Sequence, residues 1–155
     1  MYATIDLETT GLNSILDEIC EIAIVIYDKD FKLKKEFRQL LKTYNPIPED
    51  VTLIHGISNE MVESMPYFDE IMNTVLDLLE GQILCGQNIR KFDIPFLAEQ
   101  FFKMDVVFDT TKIKTLDTFV IEQVLNPRDL GTLYKKYTGK ELVDAHSALV
   151  DCKAS

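Results

Sequence analysis

The chain has 155 residues, with 26 Asp+Glu against 16 Lys+Arg and a formal net charge of −10. That length fits one domain able to bury roughly 70% of its unfolded surface. With 46% apolar and 27% charged residues, disordered and fibrous classes are excluded. A pI near 4.6 argues against broad electrostatic adhesion to nucleic acid, which relies on a basic surface. The longest apolar run, Ile22 to Tyr27, is far short of the ~20 residues of a membrane span. Asp6 and Glu8 interrupt the first apolar stretch before it could act as a signal peptide. Cys20, Cys85 and Cys152 are odd in number and widely spaced, which speaks against a disulfide framework or zinc ribbon and for a reducing cytoplasm.

In chain order, Met1 to Glu8 alternates as a strand, with Thr4, Asp6 and Glu8 on one face and Ile5 and Leu7 on the other. Ile19 to Tyr27, rich in Ile and Val, reads as a buried central strand. Asp28-Lys29-Asp30 turns into a third strand, Phe31 to Leu41, and a loop with Pro46 and Pro48 follows. Phe68, Ile71, Met72, Val75, Leu78 and Leu79 recur at helical spacing between Pro66 and Gly81, the expected start and stop signals. Ile83 to Cys85 is a short strand ending at Gly86, followed by a helix from about Phe92 to Lys103. A fifth strand falls at Val106 to Phe108 or at Ile113 to Leu116. Helical patterns at Thr118 to Leu125, Leu130 to Tyr137 and Ser147 onward close the chain. No repeat or linker divides it, so one domain over 1–155 is expected: an α/β fold with a mixed five-stranded sheet, three antiparallel strands first, and flanking helices.

Three clusters could carry chemistry. Asp6 and Glu8 project from one strand face, where two adjacent anions repel unless a hard divalent ion sits between them; the alternative is a solvated strand edge. Thr9-Thr10-Gly11-Leu12 after them is a small, hydroxyl-rich turn that lets a ligand approach the backbone. Gly86 to Leu97 places Asn88 as a helix cap and Asp93 in the first turns of a helix that follows a strand end, where open sheets bind ligands. Phe92, Phe96 and Leu97 read as core, and Asp93 could merely favour the helix N-terminus. His146 and Asp151 are five apart, about 140° of helical rotation, so they cannot share a helical face. Either His146 precedes the helix or the two are unrelated. His55, before Gly56 and a Ser58 cap, reads as structural.

Taken in order, these clusters resemble the DEDDh family of 3′–5′ exonucleases, especially the epsilon proofreading subunit of bacterial DNA polymerase III and its relatives. The family's first motif, D-x-E-T-T-G-L, matches Asp6 to Leu12 throughout. Its second matches Asn88, Phe92, Asp93, Phe96 and Leu97, with Gln87 where a histidine is common. Its third, H-x-A-x-x-D, matches His146, Ala148 and Asp151. The stretches His55-Gly56-Ile57 and Leu116-Asp117-Thr118 are also similar.

The resemblance implies a ribonuclease H-like fold in which Asp6, Glu8, Asp93 and Asp151 bind two divalent cations, Mg²⁺ with Mn²⁺ as substitute. His146 takes the place of the general base, on a loop beside the helix that carries Asp151. Two such ions can hold the attacking water and the leaving oxygen on either side of a scissile phosphate. It also implies a 3′-terminal nucleotide beside Thr9, Gly11 and Leu12, with Leu12 wedged against the base and Asn88 nearby. The expected substrate is a single-stranded or frayed 3′ end of DNA, trimmed to nucleoside monophosphates, with a DNA polymerase subunit as partner and no membrane. An RNA-trimming relative and a catalytically silent polymerase-associated module are the alternatives. Arg90, Lys91, Arg128, Lys135 and Lys136 are the candidate phosphate contacts, whereas Lys32, Lys34 and Arg38 read as solvated. The chain ends four residues after Asp151, so the last helix is expected to be incomplete. Four acids committed to cations leave a locally neutralised cleft on an acidic surface.

Overall fold

The computed structural model describes residues 1–127, 129–143 and 152. Three strands come first: β1 (Tyr2–Thr9), β2 (Ile19–Tyr27) and β3 (Leu33–Leu40). Helices α1 (Glu49–His55), α2 (Asn59–Val62) and α3 (Phe68–Leu79) follow, then β4 (Ile83–Gly86) and α4 (Asp93–Lys103). A 3₁₀ turn at Thr110–Lys112 leads to β5 (Lys114–Asp117), then α5 (Thr118–Leu125) and α6 (Leu130–Thr138). The sheet order is β3-β2-β1-β4-β5; β1–β2 and β2–β3 are antiparallel, β1–β4 and β4–β5 parallel. This is the expected mixed five-stranded sheet. Of the two positions open for the fifth strand, the second is occupied.

Alternation decides which face is core. Ala3, Ile5 and Leu7 of β1 and Ile22, Ile24 and Ile26 of β2 are buried, and the register sets Ile5 opposite Ile24. Phe68, Val75, Leu78 and Leu79 from α3 and Phe96, Leu97 and Phe101 from α4 complete that core. Each such side chain, fully removed from water, contributes about 1.5–3 kcal/mol. A smaller cluster of Cys20, Ile47, Ile57 and Val62 seats α1 and α2 beside it.

The chain divides into two compact units, Met1–Thr118 and Phe119–Ser155. The whole sheet lies in the first. In the second, α6 is capped at its start by Asp129, whose carboxylate accepts the Thr132 N–H at 2.9 Å, and at its end by Gly139 in the left-handed region. No helix among the described residues is long and apolar enough to cross a membrane.

Local differences from the sequence reading have physical causes. The third strand starts at Leu33 rather than Phe31, because the Asp28 carboxylate accepts the Asp30 and Lys32 N–H groups and throws Phe31 to φ 57°. Most β3 side chains are exposed, as befits an edge strand. The segment after Pro48, read as loop, holds α1 and α2. Leu53 and Ile54 of α1 face solvent, so no amphipathic period betrays it, although Pro48, Glu49, Asp50 and Gly56 are start and stop signals. α4 begins at Asp93, and Asn88 acts one turn earlier, its carbonyl accepting the Lys91 and Phe92 N–H groups at 3.0 Å. The helical pattern from Ser147 onward lies outside the described residues.

Candidate active site

On β1 the pleat sends Ile5 and Leu7 into the core, leaving Asp6 exposed and Glu8 half-buried on the opposite face. The two carboxylates therefore share a face, as their spacing implies. The cross-strand neighbour of Glu8 is another acid, Glu21, whose carboxylate is taken by the Arg38 guanidinium of β3. Partial burial raises the Glu8 carboxyl; His55 pulls it down, while Asp6 and Glu21 push it up.

His55 ends α1. Its Nδ1 accepts the Ile57 N–H at 3.0 Å, which closes the turn at Gly56, and its Nε2 lies 3.8 Å from Cys20 Sγ. The register slips between Glu8 and Thr9, so that Ile19 and Cys20 are both buried. Burial, and secondarily the Glu8 charge, pushes the Cys20 thiol up to about 12, leaving it inert as a nucleophile.

Beyond β1 the chain makes a tight loop. The Thr10 N–H donates to the Glu18 carbonyl at 2.8 Å, and the Glu18 N–H donates to Thr10 Oγ1 at 3.0 Å. Inside this clasp the Asp17 carboxylate accepts the Asn13 N–H at 2.8 Å, and Asn13 Oδ1 accepts the Ile15 N–H at 3.0 Å. A Cβ on Gly11 would meet Asp17 Oδ2 at 2.3 Å, so any larger residue must displace the Asp17 carboxylate. Thr9 is buried and spends its hydroxyl on the Gly11 carbonyl at 2.6 Å, whereas Leu12 stands 88% exposed. The loop presents an apolar side chain to solvent from an immobilised backbone.

Asp93 contributes the third carboxylate from the first residue of α4. It is 3% exposed, and its Oδ1 is buried without a hydrogen-bond partner. Desolvation pushes it up to about 7; backbone N–H groups, that of Leu7 among them, oppose this, and the charges of Asp6 and Asp117 reinforce it. Asp117, at the end of β5, is itself buried and accepts the Asn88 N–H at 2.9 Å and the Arg90 N–H at 3.2 Å. It thereby holds Asn88 at φ 58°. Gly86 lets β4 end close to the Ile5 carbonyl, 2.9 Å from where its Cβ would be.

Asp6 thus bears electrostatically on both Glu8 and Asp93. His146 and Asp151 lie outside the described residues, as does Arg128. Arg90 and Lys91 are exposed beside the second motif, Lys135 pairs with Glu141, and Lys136 lies over Tyr137. Among the described residues no three His, Cys, Asp or Glu side chains enclose a cation by themselves. The donor set nevertheless suits a hard divalent ion: all-oxygen ligands, with a buried carboxylate oxygen left unpartnered. Sequence reasoning missed Glu21 and Asp117 as parts of the site. The strand register would have revealed the first, and the Leu116-Asp117-Thr118 stretch contained the second without assigning it a task.

The family model for the exonuclease RNase_T matches residues 4–155. The chain is 30% identical over 150 residues to the 3′-5′ exonuclease DinG of Staphylococcus haemolyticus, covering 97% of this chain and 16% of the relative. It is 31% identical over 155 residues to a PolC-type DNA polymerase III of Caldanaerobacter subterraneus, covering 99% of this chain and 11% of that one. The chain therefore spans a sixth or less of the length of these relatives. Escherichia coli exonuclease I, solved in complex with a dT13 oligonucleotide, has the same fold: TM-score 0.72 at 18% identity, over 99% of this chain and 39% of that one. The domain-wide family match, the three ordered motifs and the shared ribonuclease H-like fold together make this chain a member of the RNase_T exonuclease family, of the DEDDh type.

Proposed function

We propose that the chain is one metal-dependent 3′–5′ exonuclease domain that removes nucleoside monophosphates from the 3′ end of DNA, in proofreading or repair. The observation that carries this reading is Asp93: a nearly fully buried carboxylate, one oxygen unpartnered, next to Asp6 and held there by the Asp117-anchored loop. A silent interaction module has no physical reason to keep that arrangement, because burying an unpaired carboxylate is costly. Asp6, Glu8, Asp93 and Asp151 would hold two divalent cations, Mg²⁺ or Mn²⁺. When bound, these supply charge stabilisation to a reacting phosphate and acidify water.

The chain's own residues do the rest. His146 accepts the proton of the attacking water, for which an imidazole of ordinary pKa near 6.5 is suited. Leu12, on its clasped loop, presses against the terminal base. Thr9, Gly11 and Asn88 border the sugar. None of these groups reads base edges, so trimming is independent of sequence and favours single strands or frayed ends. The acidic surface gives weak grip on duplex, and similarity to a PolC-type polymerase supports work beside a polymerase partner. Free Cys20, Cys85 and Cys152 support a reducing, cytoplasmic setting.

5′-labelled single-stranded DNA incubated with Mg²⁺ or Mn²⁺ tests the reading. A ladder of shortened products is expected, suppressed by Asp6→Ala and by His146→Ala. Full activity in both variants would sink the assignment, and preferential trimming of the matched RNA would move the substrate from DNA to RNA.

A further inference from the structure

Tyr44 lies in the irregular segment between β3 and α1, 69% exposed and outside both core clusters, yet it is not free to swing. Its ring stacks on that of Tyr67, centroids 4.6 Å apart and planes 17° from parallel. Tyr67 is half-buried and fixed at the start of α3, where its N–H donates to Glu70 Oε1 at 2.8 Å. Lys42 lies over the Tyr67 ring, its Nζ 5.6 Å from the centroid, and its backbone N–H donates to the Pro66 carbonyl at 2.9 Å. Two stacked rings with a cation alongside, held without service to the core, form a preorganised flat surface.

This surface is tied directly to the loop that carries Leu12. The Glu18 carboxylate accepts the Tyr44 N–H at 2.8 Å, the Asn45 N–H at 3.0 Å and Asn45 Nδ2 at 2.9 Å. The Glu18 backbone forms the Thr10 clasp that closes the Gly11–Asp17 loop. One residue therefore ties the Leu12 loop to the backbone of Tyr44.

We propose that Tyr44, backed by Tyr67 and flanked by Lys42, is a stacking platform for a base of the single strand at least two nucleotides upstream of its 3′-terminal nucleotide, beyond the reach of a dinucleotide. The proposal rests on the exonuclease reading and adds a second contact point to it. Every base has a π-face, so the platform is tolerant of sequence, as exonucleolytic trimming needs. Glu18, Asp69 and Glu70 bear on Tyr44 electrostatically; partial desolvation first, then Asp69, keeps its phenol protonated and the ring neutral. The same acids repel phosphate, so the contact is to the base. A double strand, its bases hidden, gains nothing there.

Kinetics on two substrates test this. Tyr44→Ala is expected to raise KM for a dT20 strand about tenfold, in line with the loss of one stacked base. It should leave kcat, and both constants for a dinucleotide, unchanged, and Tyr44→Phe should behave as wild type. With 5-iododeoxyuridine placed at successive positions from the 3′ end, ultraviolet crosslinking should label Tyr44 at an internal position and not at the terminal one. Unchanged KM for dT20, or an equal change on the dinucleotide, would overturn the platform. If the wild type degrades neither substrate, the exonuclease reading fails by itself. The platform is then decided by fluorescence anisotropy of dT20, where Tyr44→Ala must still weaken binding or the proposal falls.

Discussion

The two carboxylate-bearing segments of the site solve the same problem differently. Asp6 and Glu8 stand on the open face of a strand, exposed and half-buried, where solvent screens their repulsion and Arg38 pairs with the neighbouring Glu21. Asp93 sits under a helix start at 3% exposure with one oxygen unpartnered. The strand pair costs the fold little; the buried acid costs it a desolvation penalty that a cation would offset. The comparison teaches that, among the described residues, the dependence of stability on pH falls most heavily on Asp93.

The largest expected effect is on turnover. Asp93→Asn and Asp6→Asn should each lower kcat by about 10³-fold, since several kcal/mol of charge stabilisation pass through the ions they hold. Thermal denaturation then separates them: Asp93→Asn raises Tm at pH 8 without divalent ions by more than Asp6→Asn, which removes only one of the charges bearing on Asp93. Equal stabilisation by both would break the contrast.

Next comes pH. A carboxyl whose folded pKa is about 7, against an unfolded value near 3.9, binds its proton more tightly when folded. Its contribution is fully present below pH 4 and is lost as pH rises through 7, a change on the order of a few kcal/mol. Without divalent ions, Tm should therefore fall between pH 5 and pH 8, and the Asp93→Asn variant should lose that slope. Mg²⁺ or Mn²⁺ should raise Tm more at pH 8 than at pH 5, because the ligand must be deprotonated.

Two smaller effects sharpen the picture. Asp117→Ala, which frees the Asn88 and Arg90 N–H groups, should lower kcat about 10- to 100-fold, the usual scale for residues that orient a metal ligand. Gly11→Ala should destabilise by about 1–3 kcal/mol through collision with Asp17, measured by chemical denaturation. Much of that loss should return in the Gly11→Ala, Asp17→Ala double variant, unless the collision is not its source.

The strands, α3 and the pairing of Asp6 with Glu8 were legible because period-2 and period-3.6 patterns are printed in the residue order. α1 was not, since Leu53 and Ile54 point to solvent and break the period that would announce a helix. The placing of Tyr44 on Tyr67 was invisible for a different reason: a contact across 23 positions leaves no mark in local spacing.

By itself the sequence determined the chemistry available: three ordered motifs, an all-oxygen donor set, a glycine-bearing loop and an acidic surface with little grip for duplex. Tertiary structure alone decided how those groups are poised. The β1–β2 register brought Glu21 opposite Glu8, and the start of α4 took Asp93 out of water. The Glu18 clasp joined the Leu12 loop to an aromatic platform. Residue types fix which charges exist, but desolvation and distance fix what each one does, and both depend on partners far away along the chain.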